Sequence, residues 1–162
     1  MDKRGFSYIE VLIALAIFSI ALVAILPILA QSGRNQATAN THYAAHLQAQ
    51  SLMYQVRHII TDDAPSGATA LSNTLLQQIR QTVTHSESAF IATHGDFAFV
   101  VYLVQGNTAT RVYNAHVPDR SFEPPASDPA AFDFSAFPNR TGIVVFIYNA
   151  HGHLIGRAIG VA

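Results

Sequence analysis

The feature that most constrains this chain is an apolar run of about twenty residues that begins directly after a single carboxylate, Glu10. The run extends from Val11 to Ala30 and contains no charged residue. As an α-helix it would span about 30 Å, which matches the hydrocarbon core of a bilayer. A charge in that core costs about 2.5–3.5 kcal/mol on insertion scales, so Glu10 needs either a compensating partner or contact with water.

The composition bounds what the remainder of the chain can be. It has 162 residues, of which 50% are hydrophobic and 12% are charged, and this predicts one modest domain in addition to the apolar segment. The net charge of −1 and the scattered arginines argue against duplex nucleic acid as a ligand, without excluding it. With no cysteine, the chain forms no disulfide, thiolate metal site or cysteine nucleophile.

Three interpretations of the amino terminus follow from these features. A cleaved secretory signal has an apolar stretch of about 7–15 residues and a small-x-small cleavage site, whereas the candidate site at 28–30 begins with isoleucine. A plain membrane anchor with Lys3 and Arg4 on the cytoplasmic side fits the positive-inside rule but leaves Glu10 unexplained.

The third interpretation rests on the residues that surround Glu10. Segment 3–12 reads KRGFSYIEVL, which combines a short basic leader, a glycine, an aromatic residue and a glutamate four residues beyond that aromatic. It resembles the processing site of type IV pilins and of the pseudopilins of type II secretion and DNA-uptake machines. The resemblance covers about residues 3–35. It favours a minor pilin or minor pseudopilin, because many major pilins carry a disulfide-closed loop that this chain lacks.

The resemblance implies a role for each residue of this segment. A prepilin peptidase would cleave between Gly5 and Phe6, the new amino group of Phe6 would be N-methylated, and the apolar helix would be retained. Glu10 would pair with that amino group, in its own subunit or a neighbouring one, during assembly. The alternative is that Glu10 lies at the headgroup level in contact with water. Pro27 falls where many pilins carry a helix-kinking proline.

The same resemblance implies a domain organisation and a set of partners. Residues 1–5 would be the leader, 6–32 the transmembrane or filament-core half of a long helix, and 33–162 a head outside the cytoplasm. The chain would cross the inner membrane once, with a cytoplasmic amino terminus, before it enters a filament. Its partners would be other pilin or pseudopilin subunits, the prepilin peptidase, an inner-membrane assembly platform and, before assembly, membrane lipid.

Helical periodicity predicts that the first helix continues to about residue 60, with one half-buried face. The apolar residues of that face are Ala37, Ala44, Leu47, Leu52, Val56 and Ile59. A second helix is predicted over 72–84, with Ser72 as its N-cap. Four runs rich in β-branched and aromatic residues, at 97–104, 109–116, 143–148 and 153–161, predict two hairpins. The predicted class is therefore α+β and pilin-like, with about four antiparallel strands packed on the long helix.

The segment 117–141 is rich in proline and carries four phenylalanines, Phe122, Phe132, Phe134 and Phe137. One interpretation is that these side chains cover the end of the sheet. The other is that they form an interface for a neighbouring subunit. A binding module on the same stalk, which captures DNA, a surface or a secreted substrate through this loop, is the alternative function.

Chemistry-bearing residues are few. His42 and His46, and likewise His151 and His153, have spacings that suit a shared metal, but neither pair has a third ligand at a recognisable distance. There is no phosphate-binding glycine loop, nucleophile elbow or acid–base pair. The sequence therefore predicts no catalytic residues, no metal and no cofactor, and the protein is expected not to be an enzyme.

Overall fold

The computed structural model describes residues 7–63, 72–106, 108–114, 134 and 140–162. Its helices and strands, in chain order, are α1 (Tyr8–Asp63), α2 (Asn73–His94), β1 (Phe97–Gln105), β2 (Thr108–Asn114), β3 (Thr141–Asn149) and β4 (Leu154–Val161). The predicted α+β class, with a long first helix and a four-stranded antiparallel sheet packed on it, is confirmed. The chain divides into two compact units, Met1–Asn40 and Thr41–Ala162.

In the first unit, α1 is helical from Tyr8 onward and every residue from Ser7 to Asn40 is exposed. It is long and apolar enough to cross a membrane by length and composition. The helix runs through Pro27, which lacks the N–H that would bond the carbonyl four residues earlier. A kink at Pro27 remains a prediction.

In the second unit, α1 buries a narrow stripe of side chains. The stripe comprises Ala45, Ala49, Leu52, Met53, Val56 and Ile60. The prediction was right for Leu52 and Val56 but wrong for Ala37, which is exposed, and for Leu47, which is 46% exposed. Hydrophobicity favours a leucine over an alanine as the buried residue. At this contact the small side chains of Ala45 and Ala49 occupy the face that packs in the core, and Leu47 lies outside it.

Helix α2 begins where the sequence predicts and ends ten residues later than predicted. Ser72 is its N-cap, and the Ser72 side chain accepts a hydrogen bond from the Leu75 N–H at 3.1 Å. The predicted end near Thr84 is wrong because the buried face continues through Glu87 and Phe90, although residues 85–88 are all polar. The helix stops at Gly95, whose φ of 100° suits glycine.

Ser72→Ala is expected to destabilise the head by about 1 kcal/mol, because it removes the side-chain acceptor for a free N–H of the first turn. The measurement is urea unfolding of the full chain in detergent, followed by circular dichroism. Ser88→Ala is the matched control, since Ser88 is exposed and bonds only to the Thr84 carbonyl of its own helix. We expect this control to be neutral or slightly stabilising, because alanine has the higher helix propensity. Equal losses in both variants would contradict the assigned cap.

The sheet has the strand order β2-β1-β3-β4, with every neighbouring pair antiparallel. The central strands β1 and β3 are buried on both faces, which explains their almost continuous apolar sequences. One face packs with α1 and α2 through Phe99, Val101, Leu103, Ile143, Val145 and Ile147. The opposite face carries Val100, Tyr102, Val144, Phe146 and Tyr148, together with Phe134.

Each edge strand carries one irregularity in its pairing with the central strand. On β2, Tyr102 pairs with Arg111 and Val101 pairs with Tyr113, so Val112 is the extra residue of a bulge. On β4, a similar shift leaves Ile155 as the extra residue. Bulges let two successive side chains point to one side. Val112 accordingly packs in the core on the helix side of the sheet, and the partly buried Tyr113 contacts this core as well as the cluster on the opposite face.

Three glycines on the edge and central strands allow close packing. A Cβ on Gly156 would lie 2.6 Å from the backbone oxygen of Ala45 in α1. A Cβ on Gly160 would instead meet the side chain of Met53. A Cβ on Gly142 would lie 2.7 Å from the ring of Phe134. Two of these glycines therefore bring α1 against β4, and the third accommodates an aromatic ring on the other face.

Candidate processing and assembly site

The site is built from the first turn of α1. The backbone N–H of Ser7 donates to Oε2 of Glu10 at 3.0 Å, and the Glu10 N–H donates to the Ser7 carbonyl at 2.9 Å. Ser7 directly precedes the helix and Glu10 is its third residue. A glutamate at this position that reaches back to the N-cap N–H is one half of a capping box. Its charge also interacts favourably with the positive end of the helix dipole.

The Glu10 carboxylate is exposed and has no ionic partner among the described residues. Within that part of the chain the one contact between a carboxylate and a basic side chain joins Asp62 Oδ2 to His58 Nδ1 at 2.7 Å, far along the same helix. The Ser7 N–H occupies one carboxylate oxygen, and the other retains its capacity to accept. The chain therefore presents an acid at the head of an apolar helix, and this acid can accept a further hydrogen bond.

The other predicted processing and interface residues are placed only in part. Gly5 and Phe6 lie outside the described residues, as do Phe122, Phe132 and Phe137. Phe134 is described and is 6% exposed, packed on the sheet face opposite the helices with its ring against Gly142. A docking role for the loop therefore rests on the other three phenylalanines.

The histidine pairs do not assemble a metal centre in the part of the chain that the structure describes, where no three candidate ligands cluster. Nε2 of His46 lies 3.1 Å from the amide nitrogen of Gln50, one turn along α1. His151 and His153 flank a turn in which both backbone N–H groups donate to Oδ1 of Asn149 at 3.0 Å. The turn therefore explains the positions of that pair.

Comparison with known families bears on this same terminus. Residues 1–26 match the family model of the prokaryotic N-terminal methylation motif. The chain carries a prepilin-type signal. This signal includes Gly5, Phe6 and Glu10, and its match ends inside the apolar part of α1. No curated protein and no solved structure matches the chain.

The prepilin-type signal also contains a helix-capping pattern, which the family resemblance alone does not predict. Ser7-Tyr8-Ile9-Glu10 has the capping-box pattern of serine followed three residues later by glutamate. The pattern predicts that Glu10 bonds to the Ser7 N–H, as the structure shows. Glu10 therefore helps to begin α1, in addition to any role between subunits.

Proposed function

We propose that this protein is a structural subunit, and a minor one, of a type IV pilus-like or type II secretion pseudopilus filament. The observation that carries the proposal is the prepilin-type signal at 1–26, which leads directly into an exposed apolar helix headed by Glu10. A signal of this type favours a structural subunit over an enzyme. The protein is then the substrate of a prepilin peptidase.

In the proposed assembly pathway, the chain is first inserted in the inner membrane. The apolar part of α1 spans the bilayer, Lys3 and Arg4 keep the amino terminus cytoplasmic, and residues 33–162 lie on the other side. The peptidase cleaves between Gly5 and Phe6, and the new amino group is methylated. An inner-membrane assembly platform then transfers the helix from lipid into a filament of other pilin or pseudopilin subunits.

Charge pairing gives Glu10 its proposed part in this transfer. A carboxylate carried into an apolar bundle is costly unless it meets a cation or several donors. Cleavage creates such a cation on Phe6, four residues before Glu10. In the filament, the Phe6 amino group of one subunit meets Glu10 of its own or an adjacent chain, and only the register that joins the two groups neutralises both charges.

Gly5→Val is expected to leave the five-residue leader attached, because a branched side chain obstructs the approach of the peptidase to the backbone at the scissile bond. Intact-mass spectrometry of the membrane fraction measures the outcome directly. Ser7→Ala is the control, because the Ser7 hydroxyl forms no hydrogen bond with the residues that the structure describes and its backbone N–H is kept. A Gly5→Val chain that loses its leader as fast as the control would contradict the proposed cleavage site.

A further inference from the structure

A carboxylate is buried where α2 meets the sheet. Glu87 is only 8% exposed and lies among apolar residues of the helix-side core. Its Oε1 accepts the backbone N–H of Phe99 in β1 at 3.1 Å, and its Oε2 accepts the hydroxyl of Tyr113 in β2. One side chain thus joins a helix to two strands. A glutamate in such a place is unusual, because burial of a charge is favourable only with close hydrogen-bond partners.

The bulge in β2 makes this contact possible. With Val112 as the extra residue, Tyr113 shares the helix side of the sheet with it, and both face α2. A second bond fastens the same point, because Nε of Arg80 donates to the Val112 carbonyl at 3.0 Å. Two hydrogen bonds therefore hold β2 to α2: one from the Arg80 guanidinium to the Val112 carbonyl, and one from the Tyr113 hydroxyl to Glu87.

We propose that Glu87 and Tyr113 form a pH-sensitive latch between α2 and the edge strand β2, which holds more firmly as the pH falls. The proposal does not depend on the assignment to a filament. It requires that the hydrogen bonds survive in both protonation states of the carboxyl group and that only the ionised state carries a buried charge.

The positions of the oxygens satisfy the first requirement. With Glu87 ionised, Tyr113 donates to Glu87, and the Thr84 hydroxyl donates to the Arg80 carbonyl at 2.9 Å. With Glu87 protonated, the carboxyl proton points to the Tyr113 oxygen. In the structure the Thr84 hydroxyl is also placed as a donor to the Tyr113 oxygen, 3.4 Å away, and in the protonated state this bond reverses, so that the Tyr113 hydroxyl donates to Oγ1 of Thr84. The proton therefore moves along the chain and no donor loses its acceptor.

The second requirement sets the sign of the pH dependence. Burial raises the pKa of Glu87 above its ordinary 4.5, and this outweighs the bonds from Tyr113 and the Phe99 N–H, which lower it. The folded state then binds a proton more tightly than the unfolded chain does. The latch therefore contributes most below about pH 4.5, and its contribution is lost as the pH rises through the folded-state pKa of Glu87. Burial and the neighbouring Glu87 also raise the pKa of Tyr113 to about 12, so its phenol stays protonated throughout this range.

Few other charged groups lie near the latch in the described part of the chain. Helix α2 contributes Arg80 and, two turns beyond Glu87, His94, whose ring stacks on Phe90. Strand β2 contributes Arg111, which pairs with Tyr102 on the opposite face of the sheet. Strand β1 offers the Phe99 backbone N–H, and the α1 residues of this core are apolar. His94 and the exposed His85 of the same helix are both retained in the reference variant below.

The test compares the full chain in detergent with Glu87→Gln, by urea unfolding from pH 4 to pH 8. Glutamine keeps the size and the acceptor but has no charge to bury. The unfolding equilibrium constant of the wild type, divided by that of Glu87→Gln, is expected to rise with pH by up to about tenfold per pH unit within the titration window. A ratio that stays level or falls overturns the proposal.

Two further measurements address the mechanism and a variant that fails to fold. Thr84→Val removes the acceptor for the phenol proton, so it is expected to destabilise the head more at pH 4 than at pH 8, and equal losses overturn the proton rearrangement. Infrared spectroscopy of the wild type needs no mutation of Glu87. A protonated-carboxyl band that persists above the titration of the exposed acids supports the latch, and its complete loss with them overturns it.

Discussion

Glu10→Leu is expected to yield a subunit that inserts into the membrane and is cleaved but is largely absent from filaments. Leucine favours the apolar environment, so insertion is not impaired. The proposed cleavage site between Gly5 and Phe6 is unchanged. What is lost is the carboxylate that we propose to neutralise the new amino group, and without it that amino group would enter an apolar bundle unpaired. The measurement is the ratio of subunit in the sheared filament fraction to subunit in the membrane.

Glu10→Gln separates this charge from the capping role of Glu10. A glutamine oxygen still accepts the Ser7 N–H, which Glu10 accepts at 3.0 Å in the structure, so the first turn of α1 is kept. The charge is gone, so we expect a filament defect close to that of Glu10→Leu. Normal incorporation of Glu10→Gln together with a defect in Glu10→Leu would mean that Glu10 acts through the helix cap. Normal incorporation of both variants would contradict an assembly role.

Gly156→Ala is expected to destabilise the head by about 3 kcal/mol, the upper part of the range for overpacking a core. The new Cβ would lie 2.6 Å from the carbonyl oxygen and 2.8 Å from the carbonyl carbon of Ala45. Both are backbone atoms of a helix that packs in the core, so relief requires α1 to move away from β4. Urea unfolding of the full chain in detergent measures the loss.

Gly160→Ala is the matched control because it makes the same change four residues later on the same strand. The methyl group there meets the flexible side chain of Met53, which can change rotamer. The loss of conformational entropy in the unfolded chain is similar for both substitutions and stabilises both slightly. We therefore expect Gly160→Ala to lower the free energy of unfolding by less than about 1 kcal/mol, as is typical of tolerated core substitutions. Similar losses in the two variants would contradict the close helix–strand contact.

The strands and the long helix are predictable from the sequence because their signals are local. β-Branched and aromatic residues concentrate in 97–104 and 143–148, and turn-forming residues follow each run. The end of α2 is not predictable in this way. Residues 85–88 are polar, and Glu87 among them is buried only because it forms tertiary contacts with β1 and β2. The same is true of Ala45, which is buried because Gly156 lies opposite it.

The candidate site was predictable in a different sense. Gly5, Phe6 and Glu10 lie within one short contiguous segment, as the proposed recognition by a peptidase would require, and the family match covers the same residues. The latch at Glu87 and Tyr113 gives no such pattern. The two residues are 26 positions apart, and a one-residue bulge brings them to the same side of the sheet. Nothing in the sequence marks Val112 as the residue that creates it.

The bulge at Val112 also makes the two borders of the sheet unequal. A strand from another molecule that approached β2 would find an interrupted register and a carbonyl already occupied by Arg80. Strand β4 has its own bulge at Ile155 and is regular from Gly156 to Val161. Native sheets limit unwanted growth by disrupting exposed borders, and the bulge in β4 lies near the start of that strand, so it leaves the longer regular stretch. Intermolecular strand pairing, including the first step of aggregation, is therefore expected to begin at β4.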